Sequence, residues 1–213
     1  MDAAHGAAAL LCDKYRDLLD GIELADSITW DAHKLMRTPA LCAALLVLNS
    51  RTLDEAFKEE ASYIFHDKDQ PGIDFIHRTM ECTKAPLGLK LYMVLAAMGE
   101  NGLAKYIDNC FSLTQTAYSY ICSLSDFECA AQPQANILCF RLKDSDLVQM
   151  QVRTRIVAKG DFYLSTAEIG GKRYLRAVFT NPQTTLDDVI RLIEAIRMAA
   201  EMVSHEQQSD SPQ

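Results

Sequence analysis

A lysine that closes a short β-prone run in apolar surroundings is an uncommon arrangement, and this chain has one. Ile28-Thr29-Trp30 leads through Asp31-Ala32-His33 to Lys34. A lysine taken out of water becomes a good amine nucleophile. The chemistry open to such an amine is a Schiff base with an aldehyde cofactor. The competing reading is an ordinary strand-end lysine that carries its ammonium out to water on an apolar stem. Residue types alone leave both readings open. A second segment, Asp2-Ala3-Ala4-His5-Gly6, sets a carboxylate beside small residues upstream of the lysine. Cysteine and histidine show no CxxC pair and no zinc-type spacing, so no metal is expected.

Three regions must position these residues. Residues 1–84 mix short apolar runs with turns. Ala7-Ala8-Ala9-Leu10-Leu11 reads as a small-residue helix or a pocket lining. Leu41 to Leu48 is almost unbroken apolar sequence between Pro39 and Asn49-Ser50. That pattern predicts a strand buried on both faces in a parallel sheet. Thr52 is placed to cap a short helix through Lys58. Residues 85–124 are helical: Leu87, Leu91, Val94, Leu95 and Met98 recur at helical spacing and predict one buried face. Gly99 and Gly102 break the run, and a second helix covers Leu103 to Cys122 with Ile107, Phe111, Thr114 and Tyr118 on one side.

Residues 125–203 alternate strand and helix. Asn136 to Leu142 is a strand. Asp144 or Ser145 caps a helix that Gly160 ends. Phe162 to Thr166 and Arg173 to Phe179 are strands around a Gly170-Gly171 turn. A long amphipathic helix then runs from Thr185 or Leu186 to Val203, and residues 204–213 form a polar, disordered tail. The expectation is an α/β architecture with a parallel first sheet and an antiparallel α+β second domain.

Composition limits the partners. With 49% hydrophobic residues and a net charge of −8, the chain is a globular protein rather than a nucleic-acid or anionic-membrane binder. No apolar run is long enough to span a bilayer, and the N-terminus lacks the pattern of a signal peptide. Seven scattered cysteines read as reduced thiols of a cytoplasmic protein.

Residues 1–203 resemble the group II pyridoxal-phosphate (PLP) dependent amino acid decarboxylases, the family of glutamate, diaminobutyrate and aromatic amino acid decarboxylases. An ordered series carries the resemblance. It runs through Asp2-Ala3-Ala4, Leu19-Asp20-Gly21-Ile22-Glu23-Leu24-Ala25-Asp26-Ser27, His33-Lys34, Cys42-Ala43-Ala44-Leu45-Leu46-Val47 and Ala61-Ser62-Tyr63-Ile64-Phe65. It ends in Tyr174-Leu175-Arg176-Ala177-Val178-Phe179-Thr180-Asn181-Pro182.

The resemblance implies the C-terminal part of an aspartate aminotransferase-like, fold type I enzyme. Residues 1–84 would be a remnant of the large PLP-binding domain, 85–124 linking helices and 125–203 the small domain. Lys34 would form the internal Schiff base, Asp2 would pair with the pyridinium nitrogen, and Ala4 would pack on the ring. His33 would lie near the phosphate and Arg176 near the substrate carboxylate. The implied reaction is loss of CO2 from an L-amino acid, in a homodimer or with a complementing chain. The alternatives are a non-catalytic fragment or partner subunit, and other PLP chemistry on the same fold.

Three departures stand out. Asp2 is the second residue, so the half that supplies further phosphate contacts, a ring-stacking aromatic and several strands does not precede it. The expectation is a chain that folds poorly alone or needs that half. Asp31 stands where many relatives carry asparagine, and a carboxylate there repels a phosphate unless it is paired. After Phe65 the loop carries no tyrosine to protonate the carbanion, which leaves His66, His77 or water.

Overall fold

Residues 1–57, 75–81 and 83–209 are described by this computed structural model, and the chain divides into two units, Met1–Leu103 and Ala104–Gln213.

In the first unit, tight 3-10 turns fill most of residues 7–24, and Ala8 and Ala9 are buried in the first of them. Strand β1 (Ser27–Asp31) pairs with β2 (Ala43–Val47), and the four-residue helix α1 (Ala32–Leu35) follows β1 directly. The pairing is antiparallel, Ser27 opposite Val47 and Asp31 opposite Ala43, which corrects the parallel expectation. Residues 32–42 alone connect the strands, fewer than the roughly dozen residues of a parallel crossover. The parallel neighbour of β1 is instead the start of the chain, where Asp2 bridges Thr29.

Strand β2 also departs from expectation. Its residues 43–46 are exposed, with Leu45 at 53% and Leu46 at 49%. An apolar strand is buried on both faces only where layers cover both, and the described residues supply no such cover. Helix α2 (Arg51–Ala56) starts after Ser50 rather than at a Thr52 cap, and the expected end at Lys58 lies outside the described residues. Arg78 donates to Asp54 across 2.6 Å and ties α2 to the turn Phe75–Arg78.

Helix α3 (Leu87–Cys122) is broken at Gly99, whose φ of 65° and ψ of 172° are non-helical. The face expected to be buried before the break is only half-covered at Leu87, Leu91, Val94 and Met98, and Leu95 is exposed. Past the break Leu103, Ile107, Phe111 and Thr114 are buried on the expected side.

The second unit is built on a four-stranded antiparallel sheet. Its strands are β3 (Phe127–Cys129), β4 (Ile137–Leu142), β5 (Ser165–Ile169) and β6 (Lys172–Val178), in the order β3-β4-β6-β5. Helix α4 (Asp146–Lys159) starts where Ser145 Oγ accepts the Val148 amide at 3.3 Å. It stops at Gly160, whose φ of 84° suits a residue without a Cβ. Helix α5 (Leu186–Ser209) is longer than predicted: residues 204–209, expected as a disordered tail, continue it, and 210–213 lie outside the described residues.

Leu138, Phe140, Leu175 and Ala177 alternate onto one sheet face and pack with Val152, Ile156, Ile193 and Ile196 in the main core. Arg176 and Cys139, paired in register, belong to the opposite set of the alternation.

Candidate functional site

Residues 1–4 lie beside β1 as a parallel segment. The Ala3 amide donates to Thr29 O at 3.0 Å, the Thr29 amide to Met1 O at 3.0 Å and the Asp31 amide to Ala4 O at 3.1 Å. Two parallel segments therefore end together, one leaving at Asp2–Ala4 and the other at Asp31–Lys34. The carboxyl ends of adjacent parallel strands are where α/β sheets bind ligands.

Lys34 is the third residue of α1. Its Nζ lies 2.8 Å from Asp31 Oδ2, and His33 Nε2 lies 3.9 Å from the same oxygen. The lysine side chain is 36% exposed and the Asp31 side chain 15%, so the amine is reachable while its carboxylate partner is largely covered. The hydrogen bond from Lys34 and the nearby cationic charges hold the Asp31 carboxyl below the usual carboxylate range, against the opposing effect of burial. His33 Nδ1 sits 2.9 Å from Cys42 O and 3.3 Å from Cys42 N, which fixes the ring and leaves Nε2 on the Asp31 side.

Asp2 is exposed, and its Oδ1 accepts the Ala4 amide at 3.0 Å. Ala4 itself is half-buried. The structure thus gathers Asp2, Ala4, His33 and Lys34 in the first unit, at one end of one sheet. Arg176 belongs to the second unit. There its guanidinium donates to Ser165 Oγ at 3.4 Å and offsets part of the upward push of burial on the Cys139 thiol. The loop with His66 lies outside the described residues, and His77 belongs to the turn Phe75–Arg78.

Sequence reasoning missed the Asp31–Lys34 pair. Its signal was available, since residues three apart at a helix start face one another. Among the described residues no group of three histidine, cysteine, aspartate or glutamate side chains is placed to hold a metal.

The model of the pyridoxal-dependent decarboxylase conserved domain matches residues 1–143. The chain belongs to that family. Lys34, Asp2, Ala4 and His33 lie inside the matched stretch, whereas Arg176 lies beyond it. The chain is 27% identical over 206 residues to histidine decarboxylase of Drosophila melanogaster, covering 97% of this chain and 24% of that protein. It is 28% identical over 221 residues to L-2,4-diaminobutyrate decarboxylase of Acinetobacter baumannii, covering 95% of this chain and 41% of that protein.

The solved structure of mouse CSAD in its apo form superposes with a TM-score of 0.83 at 28% identity, covering 93% of this chain and 45% of that one. The α/β fold is therefore that of the fold type I, PLP-dependent decarboxylases. The chain spans about a quarter to under half of the length of these relatives.

The cofactor of the family is pyridoxal phosphate. The donor set suits it: a reachable amine for the aldehyde, an exposed carboxylate for the ring nitrogen, and a small residue beside them. A histidine with one ring nitrogen already fixed by the backbone completes the set. Among the described residues, the Thr38 hydroxyl is buried without a hydrogen-bond partner four residues after the lysine.

Proposed function

We propose that this chain carries the lysine-bearing portion of a PLP-dependent decarboxylase that converts an L-amino acid to its amine and CO2. One observation carries the reading: the backbone bonds between residues 1–4 and β1 bring Asp2, Ala4, His33 and Lys34 to the same strand end. When bound, pyridoxal phosphate supplies the electron sink for the pair left by the departing CO2.

The chain's own residues do the rest. Lys34 offers the amine that ties the cofactor down. The Asp2 carboxylate would pair with the ring nitrogen and keep its proton in place. Ala4, with its small side chain, would leave room for the flat ring. His33, held at Nδ1 by Cys42, would add its ring to the contacts that hold the phosphate. Arg176 offers a planar fork suited to the substrate carboxylate.

The test is to incubate the chain with pyridoxal phosphate, reduce with borohydride and map the label by peptide mass spectrometry. Label concentrated on Lys34 is the expected result. Label spread evenly over Lys14, Lys84 and Lys90 sinks the reading.

The same reading places this portion at the C-terminal end of the catalytic domain, in the cytoplasm, and completed by further polypeptide at a subunit or chain interface. Support comes from the exposed apolar residues Leu41, Leu45, Leu46 and Leu48 on and beside β2, and from the unpartnered Thr38 hydroxyl. An open strand edge with apolar side chains pairs readily with another chain. Light scattering of the isolated chain is expected to show self-association, relieved when the remaining portion of the family domain is co-expressed. A monomer with a single cooperative melt would count against the completing partner.

A further inference from the structure

We propose that Asp31 is a positioning residue that holds the Lys34 ammonium in place and slows its reaction until the cofactor aldehyde arrives, an inference that rests on the cofactor reading above. Asp31 occupies the position just before α1, where an aspartate ordinarily accepts a backbone amide of the first helical turn. It makes no such capping bond. Its carboxylate goes instead to Lys34 Nζ at 2.8 Å. The titratable groups facing that carboxylate are Lys34 and His33, the latter at 3.9 Å through Nε2.

The pair is asymmetric: the acid is 15% exposed and the amine 36%. The acid stays put while the lysine, on its flexible stem, is the partner that leaves. The Asp31 charge is matched for as long as Lys34 keeps its ammonium in this contact.

The chemistry balances without another reactant. The ammonium first gives one proton to solvent. The free amine nitrogen then replaces the aldehyde oxygen and forms a carbon–nitrogen double bond. That oxygen leaves as water, with the two remaining amine protons. Breaking the 2.8 Å contact with Asp31 is a cost of the first step, so removing the carboxylate's charge should speed any reaction of this amine. Asparagine tests this, since it keeps the shape and the backbone bond of Asp31 to Ala4 O.

The experiment compares the wild-type chain with Asp31→Asn, both checked for equal circular dichroism. Limited acetylation with acetic anhydride at neutral pH is followed at Lys34 and, as an internal reference, at Lys90, whose Nζ donates to Ala40 O and Leu41 O. In Asp31→Asn the Lys34:Lys90 ratio is expected to rise about two- to fivefold, the range of a partly exposed ion pair. Borohydride-fixed cofactor label at Lys34 is expected to accumulate faster by a similar factor.

An unchanged acetylation ratio overturns the proposal, as does faster acetylation with an unchanged rate of cofactor labelling. Faster acetylation with no cofactor label on Lys34 in either protein supports the hold of Asp31 and overturns the cofactor reading instead. Asp31→Glu, which returns the charge, is expected to bring the ratio back toward the wild-type value. A purely structural role for Asp31 would not produce that recovery.

Discussion

Lys34→Ala in the completed enzyme is expected to lower the proposed decarboxylation by on the order of a thousandfold or more, the scale on which enzymes lose rate with a covalent catalytic group. The measurement is CO2 release across a panel of L-amino acids, beside borohydride labelling of the same preparations. Alanine removes two things at once: the amine, and the cation 2.8 Å from Asp31. Lys34→Arg separates them. Arginine keeps a cation within reach of the Asp31 carboxylate and presents no amine that replaces an aldehyde oxygen. Both variants are therefore expected to lose label and activity alike, while Lys34→Arg keeps the neutralised carboxylate. A Lys34→Ala enzyme within about tenfold of the wild-type rate would show that the amine takes no covalent part.

Much of the second unit was legible because its signals are local. Ser145 and Gly160 bracket α4 through a side-chain cap and a left-handed backbone, both set by residue type. Gly170 and Gly171 both take positive φ, 57° and 74°, as a two-residue hairpin turn demands. The three-residue strand β3 escaped notice because Phe127–Cys129 is too short to show an alternation. The first strand after Gly160 was predicted to begin at Phe162 but begins at Ser165, since Leu164 is buried at 2% before the ladder starts.

The first unit was read less well, for a different reason. The apolar run at Leu41–Leu48 records how a strand is buried in a complete sheet, and the layers that would bury it are not among the described residues. Sequence pattern therefore described an environment that the described residues do not supply. The antiparallel return from β1 to β2 was a matter of connection length, which residues 32–42 display openly. The site divides the same way. Asp2, Ala4, His33 and Lys34 came from a resemblance spread over many segments, whereas Asp31 stood out as a charge in the wrong place. Only the 2.8 Å contact shows how that charge is matched.

Phe140→Ala is expected to destabilise the chain by about 3–5 kcal/mol, the cost of emptying an aromatic site in a packed core. Phe140 lies on β4, which has a neighbouring strand on each side, and is 1% exposed. Its ring centroid stands 6.3 Å from that of Phe127 at an interplanar angle of 46°, so the truncation also unsupports the neighbouring ring. On the other side of that ring's interactions, Arg197 lies 5.6 Å from the Phe127 centroid and binds Asp126 through two nitrogens at 2.8 and 2.9 Å. Loss of Phe140 thus loosens a ring that an ion pair also leans on.

Chemical denaturation followed by circular dichroism measures the effect, and pH 7 is the right condition. The Arg197 guanidinium holds the Asp126 carboxyl below the usual carboxylate range. A group depressed in this way contributes stability that is complete above its unfolded pKa of about 3.9 and is lost only as pH falls through its folded value. At neutral pH the ion pair is therefore constant between wild type and variant, and the difference reports packing. Val178→Ala serves as the control, because Val178 is 37% exposed and lies outside the core cluster; it is expected to change stability by less than about 0.5 kcal/mol. Equal losses in the two variants would mean that β4 does not carry the core of this unit.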